Sequence, residues 1–198
     1  MVTGVDSASN VTNILSTLVS SGYSFVGRYY STSANAWKIM STSESVAIAN
    51  AGLKRVVVFQ NTSNKDDYFS ATQGQGDASE AISLAKARGQ ASGSAIYFAV
   101  DYDASESAIN NQITQYFAKV NDSISKAGYS VGVYGSGKTC RIIRSKGLAA
   151  YSWLAMSPNW AEYSSYTDWN IKQLQSVNIS GVSVDTDNAV SLTSMGAW

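Results

Sequence analysis

The chain has 198 residues, 44% of them apolar, with no histidine, one cysteine, and 14 basic side chains balanced by 14 acidic ones. That length supports one sizeable core, so a single domain over residues 1–198 and a monomer are expected. Zero net charge and only 14% charged residues leave no electrostatic footprint for nucleic acid or an anionic membrane, and the missing histidine excludes imidazole-based nucleophile systems and the usual metal ligands.

Cys140 has no second thiol to pair with, which rules out an intramolecular disulfide and a structural zinc site and leaves it as a small buried hydrophobe. No metal or cofactor is expected. Acid–base chemistry falls to carboxylates or tyrosines.

Eight short β-branched or aromatic runs recur along the chain, most followed by a polar stretch and a helical pattern. That alternation predicts parallel strands with helical crossovers. The first run is residues 2–6, followed by a helix over 9–20 that Ser9 or Asn10 can cap, with Val11, Ile14, Leu15 and Leu18 on one face. The second, SFVGRYY at 24–30, leads to a helix at 43–50 that Gly52 stops. The third, 54–60, is almost purely apolar before Gln60, and a Gly-containing loop then opens a helix at about 77–88. The fourth, 94–100, runs into Asp101-Tyr102-Asp103, and Ser105 with Glu106 opens the longest helix, ending near Lys126. Residues 129–134 and 151–155 read as strands five and six around a short helix at 139–146. Residues 169–174 and 182–186 read as strands seven and eight, with too little chain between them for a helix.

The count predicts an α/β fold, a single irregular (β/α)8 TIM-like barrel with degenerate last crossovers. An open doubly wound sheet is the alternative and needs fewer strands. In both architectures functional side chains sit at strand C-termini. The polar residues at those ends are Asp6, Arg28, Gln60, Asp101, Asp103, Tyr134, Trp153, Gln173 and Asp185. Four of these nine are aspartates, in a chain that spends only 14 acids on 198 residues. Asp101 and Asp103, two apart, share a face if the extended geometry continues. Crowded carboxylates separate their pKa values, so that one serves as acid while the other stays ionised, as glycoside hydrolysis requires. Helix capping by Asp103 or Asp6, and a turn around Asp185 and Asp187, are the competing structural readings. Twelve Tyr and five Trp supply flat faces that stack on sugar rings, with wall packing as the alternative for each.

Gly135-Ser136-Gly137-Lys138-Thr139, with Gly132 six residues before the lysine, has the spacing of a phosphate loop; nucleotide hydrolysis is the minor reading beside the aspartate set. The N-terminal residues lack the basic start and apolar run of a secretory signal, and no stretch is apolar enough to span a membrane. Synthesis in the cytoplasm, no membrane insertion, and delivery by a non-Sec route to the periplasm or cell wall are the expectation.

GVDSA at Gly4, GYSFVGRYYS at Gly22, RVVVFQ at Arg55, IYFAVDYDA at Ile96, GVYGSG at Gly132, AYSWLA at Ala150 and VDTDNA at Val184 together resemble a bacterial glycoside-hydrolase-like domain of unknown function. That domain is in turn similar to the family 25 glycoside hydrolases, the CH-type lysozymes. The resemblance runs from about residue 3 to residue 190. It implies a short barrel that cleaves the glycan strands of peptidoglycan between N-acetylmuramic acid and N-acetylglucosamine. Asp6 then matches a first-strand aspartate lining the site, and Asp101 matches the first carboxylate of an Asp-x-Glu pair. Asp103 falls where that pair's Glu is the general acid, and Asp185 matches the aspartate of a Val-Asp-x-Asn pattern. Arg28, Tyr29, Gln60, Tyr134, Trp153 and Gln173 are the expected substrate-binding residues. A non-catalytic cell-wall-binding module and a glycosidase on another polysaccharide are the alternative functions. If the chain is an injected toxin or lysis protein, a cognate immunity protein is the implied partner.

Overall fold

The computed structural model describes residues 1–198 apart from Ser33. Eight strands close into a barrel in sequential order. They are β1 (Val2–Asp6), β2 (Phe25–Tyr30), β3 (Lys54–Phe59), β4 (Ala95–Ala99), β5 (Ser130–Gly135), β6 (Tyr151–Leu154), β7 (Ile171–Ile179) and β8 (Val182–Ala189). Helices α1 (Leu15–Ser20), α2 (Thr42–Asn50) and α3 (Ala71–Ala87) fill the first three crossovers. The fourth carries α4 (Glu106–Ala108), a π-helical turn (Ile109–Ile113) and α5 (Thr114–Lys126), and the fifth carries α6 (Gly137–Ser145). Side-chain caps start four of these helices: Ser41 accepts from the Glu44 N–H, Ser70 from Gln73, Ser105 from Ala108 and Ser136 from Thr139. Because Ser70 is the cap, α3 begins about six residues before the sequence pattern suggests, through the two glycines that read as loop.

Neighbouring strands from β1 to β7 pair in parallel, but β8 is antiparallel to both β7 and β1. The irregularity expected of the last crossovers of the (β/α)8 barrel therefore extends to reversing β8: the last connection is a hairpin and the sixth carries only turns. The cause is local. Only Ser180 and Gly181 separate β7 from β8, both at positive φ (49° and 88°), the two-residue geometry that reverses a strand and is far too short for a parallel crossover.

Strand alternation divides the apolar side chains into two sets. Phe25, Val56, Val58, Tyr97, Ala99, Trp153 and Ile171 pack inside the barrel, whereas Val26, Tyr30, Val57, Phe98 and Val133 face outward against the helices. Trp153, 1% exposed, fills the barrel's middle and meets Tyr97 and Tyr134 edge to face at 5.6 and 5.8 Å. Residue 27 has to be glycine, since a Cβ there would lie 2.6 Å from the Trp153 ring and 2.8 Å from the Asp6 Cβ. The C-terminal residues seal the end away from the strand C-termini: Met195 and Gly196 carbonyls accept from the Tyr97 hydroxyl and the Ala95 N–H, and Trp198 pairs with the Arg55 backbone.

Candidate active site

The open end of the barrel holds a cavity of about 180 Å³ lined by Asp6, Tyr29, Val58, Gln60, Ala99, Asp101, Tyr134, Trp153, Gln173 and Asp185. Seven polar or aromatic residues singled out in the sequence meet there, together with Asp185. Asp6 ends β1, and Asp101 follows β4 on the same inward alternation as Tyr97 and Ala99. Asp185 reaches the mouth for a different reason: β8 runs backwards, so its first half, not its C-terminal end, lies beside the end of β1. The register pairs Asp6 with Asp185 directly.

Gln173 organises the carboxylates. Its Oε1 accepts from the Tyr134 hydroxyl (3.0 Å) and the Met156 N–H (3.1 Å), which fixes the amide orientation. Nε2 then donates to Asp6 Oδ2 and Asp185 Oδ2, each at 2.9 Å. Two acceptors on one trigonal nitrogen stand about 5 Å apart. Ser176 also donates to Asp185, and Tyr29 donates to Asp6 at 3.5 Å.

Burial, then the charge of Asp185, pushes the Asp6 carboxyl up to about 7, against the opposing hydrogen bonds from Gln173, Asp187 and Tyr29. Burial also raises Asp101, opposed by its bond from Gln60 Nε2 (2.8 Å) and by Lys38. Lys38 Nζ in turn donates to Gln60 Oε1 (3.1 Å) and lies 5.1 Å from the centre of the Tyr29 ring. Tyr29 and Tyr134 are raised well above the ordinary phenol value by burial and the surrounding carboxylates. Both stay neutral donors at physiological pH. Among the described residues no group of three or more His, Cys, Asp or Glu side chains is arranged to hold a metal ion.

Two expected site residues lie elsewhere. Arg28 sits on the outward face of β2, 1% exposed, and is ion-paired with Glu44 of α2 at 2.8 and 3.1 Å while donating to the Ser7 carbonyl. It therefore braces the turn after Asp6 from behind and is not presented to the cavity. Asp103 is exposed beyond the bend at Tyr102, outside the cavity lining, and its Oδ1 accepts the Ala161 N–H at 3.1 Å. The strand geometry that would have placed it beside Asp101 ends at that bend.

Two features escaped the sequence reading. Asp187, for which a turn is one of the competing sequence readings, is an inward strand position 1% exposed, accepting from Trp153 Nε1 at 3.0 Å. Its signal was present: Asp185, Asp187 and Ala189 alternate as one strand face. A second groove of about 370 Å³ shares Asp6, Tyr29 and Asp185 with the cavity and continues over Ser7 and Ser183 to Trp37, which is 71% exposed.

Residues 16–189 match the family described as the Rv2525c-like, glycoside hydrolase-like domain. The chain belongs to that family. The uncharacterized protein FadG of Bacillus subtilis (strain 168) is 30% identical over 180 residues, covering 85% of this chain and 31% of FadG. This chain thus spans about a third of that relative. The Tat-secreted protein Rv2525c of Mycobacterium tuberculosis is 26% identical with a TM-score of 0.84, covering 99% of this chain and 98% of that one. A muramidase from Trichobolus zukalii shares the fold at a TM-score of 0.66 and 15% identity, over 99% of both chains. Among the described residues no helix is long and apolar enough to cross a membrane.

Proposed function

We propose that this domain is a muramidase-type glycosidase, cleaving peptidoglycan glycan strands between N-acetylmuramic acid and N-acetylglucosamine. The observation that carries this reading is the difference in environment among the carboxyls of one cavity. Asp6 is buried, raised to about 7, and positioned to hold a proton at neutral pH. Asp101 is half-buried and tied to Gln60. In this reading Asp6 delivers its proton to the leaving oxygen, and the hydrogen bonds from Gln173 and Tyr29 stabilise the carboxylate that forms. Asp101 stabilises the positive charge that develops on the sugar, and water then adds to the anomeric carbon and returns a proton to Asp6. Tyr29 and Tyr134 flank the ring, and the groove toward Trp37 receives the next sugar of the strand. The fold shared with a muramidase supports the choice of substrate. Peptidoglycan lies outside the cytoplasmic membrane, so the domain acts there, in line with the export of Rv2525c, a Tat-secreted protein.

The family resemblance favours a second reading in which Asp103 is the acid. One experiment separates the two. Sacculi are incubated with wild type, Asp6→Asn, Asp101→Asn and Asp103→Asn, and released fragments are reduced with borohydride and weighed. Reduced muramic acid ends from wild type and Asp103→Asn, with losses of about a hundredfold or more in the other two variants, match the proposal. Loss confined to Asp103→Asn moves the acid to the rim. Intact glycan from the wild type, with protein retained on the sacculi, leaves a binding module instead.

A further inference from the structure

The Asp187 carboxyl lies in the barrel interior and has no part in the chemistry above. Its Oδ1 accepts the Trp153 indole N–H at 3.0 Å. Its Oδ2 is fully enclosed and, among the described residues, receives no donor. On the same inward face stands the Asp6 carboxyl, two positions along β1 from Gly4, the register partner of Asp187, and the two carboxyls are near enough for each to shift the other. Two carboxylates in contact are both acceptors, so the contact is repulsive unless a proton lies between them. A buried acceptor left without a donor is costly, and more so if it is charged.

We propose that Asp187 is a positioning residue that keeps its proton and donates it in a hydrogen bond to Asp6, acting as a neutral carboxylic acid. The orphaned Oδ2 is then a donor, and both oxygens of the side chain are satisfied. The surroundings agree. The titratable groups facing it are Asp6 on β1, Tyr29 on β2, Tyr97 on β4, Tyr134 on β5 and Asp185 on its own strand. All are acids or phenols. Trp153 on β6 contributes a neutral N–H and Gln173 on β7 a neutral amide committed to Asp6 and Asp185. Burial first, then the charge of Asp6, holds the Asp187 carboxyl well above the ordinary range. When Asp6 loses a proton, the Asp187 O–H is already aimed at the new anion. Preorganised donors of that kind lower the cost of charge formation without moving.

The inference rests on carboxyl contacts and not on the glycosidase reading, and its test reads a proton instead of turnover. Wild type is labelled with 13C at the aspartate carboxyls, and the carbon shifts are followed by NMR from about pH 4 to about pH 9. The result expected is one carboxyl still at the protonated position at about pH 8, absent from the spectrum of Asp187→Asn. In that variant the asparagine amide makes the same two bonds, so the Asp6 midpoint moves by less than about one pH unit. If Asp187→Asn fails to fold, uniform 13C and 15N labelling of wild type makes the assignment, by tracing the protonated carboxyl carbon to its own residue through the side-chain carbons and backbone. Complete ionisation of every aspartate in the wild type at about pH 8, or a fall of the Asp6 midpoint by two units or more in Asp187→Asn, overturns the proposal.

Discussion

Asp6 and Asp185 face each other as register partners across the antiparallel pairing of β1 with β8, and a single amide nitrogen, that of Gln173, bonds to both at 2.9 Å. Like charges at that separation repel, and the shared donor offsets the repulsion. Gln173→Leu removes the bond that opposes the rise in the Asp6 pKa, so the Asp6 midpoint rises above about 7. Carbon NMR titration of the Asp6 carboxyl checks this, and an unchanged midpoint contradicts it. If Asp6 is the acid, the alkaline limb of activity moves up with it.

Stability should fall as pH rises toward neutrality. The folded Asp6 carboxyl titrates at about 7 against an ordinary 3.8, so between those values the native state binds more protons than the unfolded chain. Each such proton lowers stability by about 1.4 kcal/mol per pH unit within that window, and the loss levels off above about pH 7. Urea unfolding of wild type and Asp6→Asn at pH values across the window checks it. The slope of the variant is shallower by about one proton.

Breaking the ion pair behind the site should be costly. Glu44 and Arg28 are each 1% exposed, and Glu44 Oε1 also accepts the Val11 N–H at 2.9 Å. Glu44→Ala strands a buried guanidinium and frees the turn that follows Asp6. A loss of about 3–5 kcal/mol is expected by chemical denaturation, with Arg28→Met similarly costly because it leaves the buried Glu44 carboxylate uncompensated, and the double variant Arg28→Met/Glu44→Leu milder because neither charge remains.

The groove toward Trp37 should discriminate by chain length. An exposed indole beside the acid cavity contributes about 1 kcal/mol when a second ring stacks on it. Trp37→Ala then weakens a tetrasaccharide of alternating N-acetylated sugars about fivefold and leaves a monosaccharide unchanged. Tryptophan fluorescence titration measures both, and equal losses for the two ligands count against a second sugar site.

Cys140 is buried, and burial lifts its thiol to about 12. Iodoacetamide should leave it unmodified in the native protein at about pH 8 and alkylate it once the chain is unfolded. Mass spectrometry with and without denaturant distinguishes the two.

The eight strands, and the arrival of Asp6 and Asp101 at the barrel mouth, were legible in the sequence because local periodicity and caps decide them: each apolar run is short, and a serine caps four of the helices. The final hairpin was legible too, in Ser180-Gly181 between two β-branched runs, although the overall alternation suggested a parallel barrel. What local pattern leaves open is which face of a strand points inward. Arg28 and Tyr29 are neighbours on β2, and only barrel closure, with Phe25 and Gly27 inside and Val26 and Tyr30 outside, sends the arginine to Glu44 and the tyrosine to Asp6. The same closure puts Asp187 beneath Asp6, while the bend at Tyr102 carries Asp103 out to Ala161. Side-chain alternation has a period of two and no sign of its own. The sign comes from contacts between residues more than a hundred positions apart, such as Gln173 with Asp6, which exist only in the closed tertiary structure.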